Sequence, residues 1–260
     1  MCVLQPMRYF NITFLLIVLL GCSNVAVTQG SGDPISHEIW DTLLKKYVTK
    51  DGFVDYKGIQ NEKIEFDSYL RLLEANPPNK ETWTEEEQIA YWINAYNAYT
   101  VDLILQYYPL ESIKDIGSSI QIPFVNTPWD VEFIKIAGEE YDLNDLEHGI
   151  LRGGFEEPRI HFAVNCASFS CPELRAEAYT GEKLEQQLDE QARIFVNDTR
   201  KNRITAEKAE LSKIFSWYSG DFNDDMSVTE FINQYTDVKI TKSTDVDYLD
   251  YNWELNDLPN

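Results

Sequence analysis

The densest run of reactive side chains is Arg159-Ile160-His161-Phe162-Ala163-Val164-Asn165-Cys166-Ala167-Ser168-Phe169-Ser170-Cys171-Pro172, with Asp145-Leu146-Glu147-His148 a short way upstream. Cysteine attacks as its thiolate, so it needs a nearby base or positive field, and the base needs a third group to orient it. Cys166 with His148 or His161, and Glu147 or Asn165 as the orienting group, supplies those parts. Two of the chain's 3 histidines fall here, together with Cys166 and Cys171, two of its 4 cysteines. The chemistry such a set performs is acyl transfer, or hydrolysis of an amide or ester.

Geometry narrows the choice of base. Read as a strand entering a Ser-rich turn, residues 160–166 place His161, Ala163 and Asn165 on one face and Phe162, Val164 and Cys166 on the other. If the strand stays regular, His161 faces away from Cys166 and His148 is the better candidate base. Three other readings of the thiols stand beside this one. Cys166 continues an apolar face and fits a core residue, since cysteine is among the most buried residue types. Cys166 and Cys171 also fit a disulfide across a tight turn in an oxidising compartment, with Cys171 as a second thiol if they stay reduced. A zinc site from these cysteines and the histidines matches no standard ligand spacing, and neither a metal nor a cofactor is expected. There is no phosphate-binding glycine loop and no Gly-x-Ser-x-Gly elbow. The run from Asp221 opens like a calcium loop, but Met226 stands where glycine is needed.

The elements that must position these residues are mostly helices. Ile39, Trp40, Leu43, Leu44 and Tyr47 recur at helical spacing over residues 37–48, and a second helix spans 64–73 before Asn76-Pro77-Pro78. Thr82 and Thr84 each have a glutamate three residues on, a doubled capping box that opens a long helix running to about Tyr107. That helix is apolar nearly all round and is expected at the buried centre. Its Asn94 and Asn97 share a face and fit either a structural hydrogen-bonding pair or a pocket wall. Beyond Pro109, residues 131–136, 160–164 and the neighbourhood of Ile204 read as short strands. Residues 143–151, with Asn144 as cap, and 181–196, 214–218 and 228–235 read as helices. The expectation is an α+β fold: one predominantly helical domain over 37–260, with a central buried helix and a small, largely antiparallel sheet.

The amino terminus reads as an address. Arg8 precedes an apolar run over residues 10–20, too short to span a bilayer comfortably and laid out like a secretory signal. Leu19-Leu20-Gly21-Cys22 follows and resembles the bacterial lipoprotein signal, so residues 1–21 are expected to be removed and Cys22 lipidated. Residues 22–36 then form a flexible tether. The net charge is −22 at pH 7, and removing 1–21, which hold Arg8 and no acid, makes it −23. An acidic body neither binds nucleic acid nor adheres to anionic lipid by charge, so attachment to the membrane rests on acyl chains.

Several stretches together resemble the bacterial branch of the domain of unknown function 547 family. They are Val54-Asp55-Tyr56; Tyr91-Trp92-Ile93-Asn94-Ala95-Tyr96-Asn97-Ala98; Leu146-Glu147-His148-Gly149-Ile150-Leu151-Arg152; Arg159 through Cys166; Ser170-Cys171-Pro172; and Tyr251-Asn252-Trp253-Glu254-Leu255-Asn256. The resemblance implies no activity. It extends to Glu147, His148, His161 and Cys166, while family members carrying serine where Cys171 stands weaken an obligatory disulfide. Asn252 here replaces the family's usual aspartate, which puts an acid role at that position in doubt. The expectation is an exported, membrane-anchored lipoprotein of the bacterial cell envelope, outer-membrane or periplasm-facing, acting as a thiol-dependent hydrolase or acyl transferase on a small-molecule or peptide substrate. The competing expectation is a non-catalytic binding or scaffold domain with a structural His/Cys/Asn cluster.

Overall fold

A computed structural model describes residues 32–116, 127–222 and 226–259. The expected signal, Cys22 and most of the expected tether lie outside them. In chain order the helices are α1 (Glu38–Tyr47), α2 (Tyr56–Asn61), α3 (Lys63–Ala75), α4 (Glu85–Tyr107), α5 (Arg152–Gly154), α6 (Ile160–Ala163), α7 (Leu184–Asn197), α8 (Ile214–Trp217), α9 (Ser219–Phe222) and α10 (Val228–Tyr235). A π-helical segment, Asp145–Leu151, runs directly into α5. The strands are β1 (Ile134–Ile136), β2 (Glu139–Tyr141), β3 (Arg203–Ile204), β4 (Lys208–Leu211) and β5 (Asp245–Tyr248). The fold is α+β and mainly helical.

The long central helix forms where its cap dictates. Thr84, not Thr82, closes the box: its Oγ1 accepts from the Glu87 N–H and the Glu87 carboxylate accepts from the Thr84 N–H. Glu85, Glu86 and Glu87 add negative charge at the positive end of the helix dipole. From Ile89 to Leu105 nearly every residue is buried, on all faces, and α2, α3 and α7 pack around it. No helix of the described residues is long and apolar enough to cross a membrane.

The strands form two small sheets. β1 and β2 are an antiparallel hairpin turned by Ala137 and Gly138, both at positive φ (55° and 85°). β3 pairs antiparallel with β4, but β4 pairs parallel with β5, so the second sheet is mixed. Val54 makes only isolated bridges, to Val48 and to Asp257.

One expectation fails: residues 160–164 contain helix α6, not a strand. A short apolar run that is buried on every side has no alternation to separate strand from helix. Here Ile160, His161, Phe162 and Ala163 are all buried, and Val164 N–H donates to the Ile160 carbonyl in a helical turn. The turn joins two apolar clusters: Ile160 and Ala163 belong to one built on α4, and Phe162 to the other, among Phe195, Phe215, Phe222 and Phe231.

Candidate functional site

The polypeptide leaving α6 is held by buried amides. Asn97 donates from Nδ2 to the Ala163 carbonyl (2.9 Å) and accepts on Oδ1 from the Asn165 N–H (2.8 Å). Asn165 in turn donates to the Pro172 carbonyl (2.7 Å) and accepts from the Ala167 N–H (2.9 Å). That local bond supports Ala167 at φ +57°, the left-handed conformation that a residue with a Cβ adopts only when its surroundings enforce it. The C-terminal segment straps the turn from outside, through Phe169 N–H to the Glu254 carbonyl (2.7 Å) and Asn256 N–H to the Ala167 carbonyl (3.2 Å). Asn252 donates its N–H to Ser170 Oγ (2.9 Å). Asn94 lies elsewhere: both ends of its amide bond the backbone of Tyr179. Neither Asn94, Asn97 nor Asn165 lines the cavity described below.

This frame fixes Cys166, half-buried, beside Cys171, buried. Both are free thiols, with sulfur atoms 2.8 Å apart in a hydrogen bond. Ser168 Oγ and Tyr251 Oη stand 3.3 and 3.4 Å from the Cys166 sulfur, and Ser168 donates to Tyr251. Burial raises the Cys166 pKa, but hydrogen bonds with Cys171, Ser168 and Tyr251 outweigh it, and the net shift is downward. Cys171 moves the opposite way, pushed well up by burial and by its bond to Cys166. Of the two, Cys166 is the more readily ionised thiol, and Cys171 also accepts from the Cys166 N–H (2.8 Å). Among the described residues no histidine hydrogen-bonds either sulfur.

The histidines sit on the opposite wall. The π-helical segment is capped by Asp142, whose Oδ1 accepts from the Asp145 N–H (2.7 Å), while Asn144, the expected cap, donates to Asp130 instead. π-Turns are rare and recur at functional sites. This one buries Glu147 and leaves His148 exposed. Glu147 Oε1 accepts from Tyr218 Oη (2.7 Å) and is 3.9 Å from His148 Nδ1, a nitrogen already in contact with Arg152 (3.1 Å). Burial, then Glu147, hold the Tyr218 phenol far above its ordinary pKa, so it remains a donor. His161, 1 % exposed, stacks on Tyr218 with ring centroids 3.9 Å apart. Its Nε2 bonds Asp221 (2.7 Å), and its Nδ1 is buried without a partner. Hydrogen bonds from Arg152 and His161 hold the Asp221 carboxyl far below its usual range.

Between the walls lies a cavity of about 360 Å³ that brings Glu147, His148, His161, Cys166 and Cys171 together. Because residues 160–163 are helical, His161 and Cys166 share this space rather than opposite faces of a strand. Aromatic rings make up most of the rest: Tyr96 at the base, Tyr218 and Tyr251 at the sides, and Trp129, Trp217 and Trp253 at the rim. Trp253 stacks on Trp217 and edges against Trp129. Sequence reading did not single out Ser168, Tyr218, Asp221, Tyr251 or the tryptophan rim as site residues. For Tyr251 and Trp253 the pointer was the Tyr251-to-Asn256 motif, whose place in the sequence gave no sign that it would fold over Cys166. Among the described residues no three His, Cys, Asp or Glu side chains gather as metal ligands.

No curated protein and no solved structure gives a significant match to the chain. Residues 80–196, which run from just before α4 to the last turn of α7 and hold both thiols and both cavity histidines, match the family described as "Protein of unknown function, DUF547". Over that segment the chain is similar to the DUF547 family.

Proposed function

We propose that the protein is a thiol-dependent hydrolase or acyl transferase acting on an amide or ester, with Cys166 as nucleophile. The observation that carries this reading is the Cys166 sulfur itself, half-buried on an open cavity and hydrogen-bonded so that its thiolate is favoured. The thiolate adds to the substrate carbonyl carbon. The bond to the leaving nitrogen or oxygen then breaks as that atom takes up a proton, and water or an acceptor nucleophile releases the acyl group and restores the thiol.

The sequence favours His148 as the imidazole that moves the proton; the geometry favours His161. Asp221 fixes the His161 ring through Nε2 and leaves Nδ1 unpartnered, whereas His148 is in contact with Arg152 through Nδ1 and is exposed. An aspartate behind an imidazole sets its tautomer and stabilises its charged form. Incubation with a chromogenic phenyl ester is expected to release phenolate in a burst and leave an acyl mass on Cys166. Cys166→Ala abolishes both, and His161→Asn slows acylation more than His148→Asn does. A burst that survives Cys166→Ala refutes the reading.

A second reading is a non-catalytic binding domain. It is favoured by the way Asn94, Asn97 and Asn165 spend their amides on backbone groups, making the polar cluster a scaffold. In either case we place the protein in the bacterial lipoprotein branch of its family, exported and held at the cell envelope by acyl chains on Cys22. The Leu-Leu-Gly-Cys run after an apolar segment supports this. Labelled palmitate is expected to enter the wild-type protein and not Cys22→Ala.

A further inference from the structure

We propose that the cavity beside Cys166 selects substrates carrying a cationic ammonium head group, so that the acyl compound attacked is an ester or amide of a positively charged alcohol or amine. The inference rests on the thiol reading only for the reaction; the binding preference stands on the cavity walls.

Six aromatic rings face this space, and the one carboxyl group among its lining residues is Glu147, 7 % exposed and held by Tyr218. Among the described residues no lysine or arginine lines it. A ring face carries negative electrostatic potential, and several rings around a carboxylate form a cage for an ammonium group, which is bound most strongly where water is excluded. The same rings already hold cations from the chain itself. Lys114 Nζ stands 4.6 Å from the Trp253 centroid and the Arg152 guanidinium 4.9 Å from that of Tyr218, though neither residue lines the cavity. Of these two nearby charges, Arg152 is neutralised by a two-point ion pair with Asp221 (2.6 and 2.8 Å), and Lys114 lies against the rim ring Trp253. The net charge of −22 attracts cationic solutes from a distance. An anionic substrate meets a carboxylate and no lining lysine or arginine; a neutral apolar one fills the cage without using its electrostatics.

The test measures binding of choline, and of its neutral isostere 3,3-dimethylbutan-1-ol, to the full-length Cys166→Ala protein by tryptophan fluorescence and calorimetry. Choline is expected to bind about tenfold more tightly than the isostere. Trp217→Leu, at a half-exposed rim position, is expected to weaken choline several-fold, and Glu147→Gln to narrow its advantage over the isostere. Equal or tighter binding of the isostere, or no binding of choline, overturns the proposal. Because this variant has no nucleophile, failure of the thiol reading leaves the result untouched, and a failed choline preference leaves acylation of Cys166 untouched.

Discussion

Asn97→Ala should be costly, and the cost can be worked from the contacts of one side chain. Asn97 is 2 % exposed, and its amide pairs with one backbone carbonyl and one backbone N–H, those of Ala163 and Asn165. Truncation leaves both buried and unpaired, at roughly 1–3 kcal/mol each, or about 2–6 kcal/mol together. For a chain of this size that corresponds to a fall in Tm of about 4–24 °C. The assay is urea and thermal unfolding followed by circular dichroism, alongside the rate at which iodoacetamide labels Cys166. Asn94→Ala is the control, because Asn94 makes the same two kinds of bond to Tyr179, away from the thiol turn. Both variants should lose comparable stability, but only Asn97→Ala should change Cys166 labelling. A loss below about 0.5 kcal/mol, the range of ordinary surface substitutions, would refute the clamp.

Phe162→Ala removes a fully buried ring that touches four other phenylalanines, and should cost about 3–5 kcal/mol in urea unfolding. His37, which bonds the Tyr69 hydroxyl, has its pKa lowered by burial to about 4. The unfolded chain therefore takes up a proton near pH 6.5 that the folded chain refuses, so stability is lost as pH falls from about 6.5 to 4. His37→Gln should flatten the stability profile in that window. Cys171→Ala removes the hydrogen-bond partner that lowers the Cys166 pKa, and the pH at which Cys166 becomes reactive should move upward. Tyr251→Phe should move it the same way.

How much of this was legible in the sequence follows from the range over which each determinant acts. Helices α1, α3, α4, α7 and α10 announce themselves through apolar periodicity, and the start of α4 through a capping box only four residues long. These signals are local, so one sequence carries them. Residues 160–164 were misread because burial on all sides erases periodicity, and that error wrongly turned His161 away from Cys166. The thiols, Glu147 and both histidines could be named from residue chemistry and family resemblance. Their partners could not, because Tyr218, Asp221 and Tyr251 reach them across 60 to 85 residues of chain. Whether Asn94 and Asn97 face a pocket or a backbone depends likewise on what folds against α4.

The most direct test of a primed thiol is the pH dependence of alkylation of Cys166 in the folded protein, read by mass spectrometry of each cysteine peptide. With neutral iodoacetamide, Cys166 should label selectively, with a midpoint below the ordinary thiol value of about 8.5, while Cys171 stays protected. A Cys166 that stays inert across the range, or that reacts only at the pH of an ordinary thiol or after Cys171, would contradict the account.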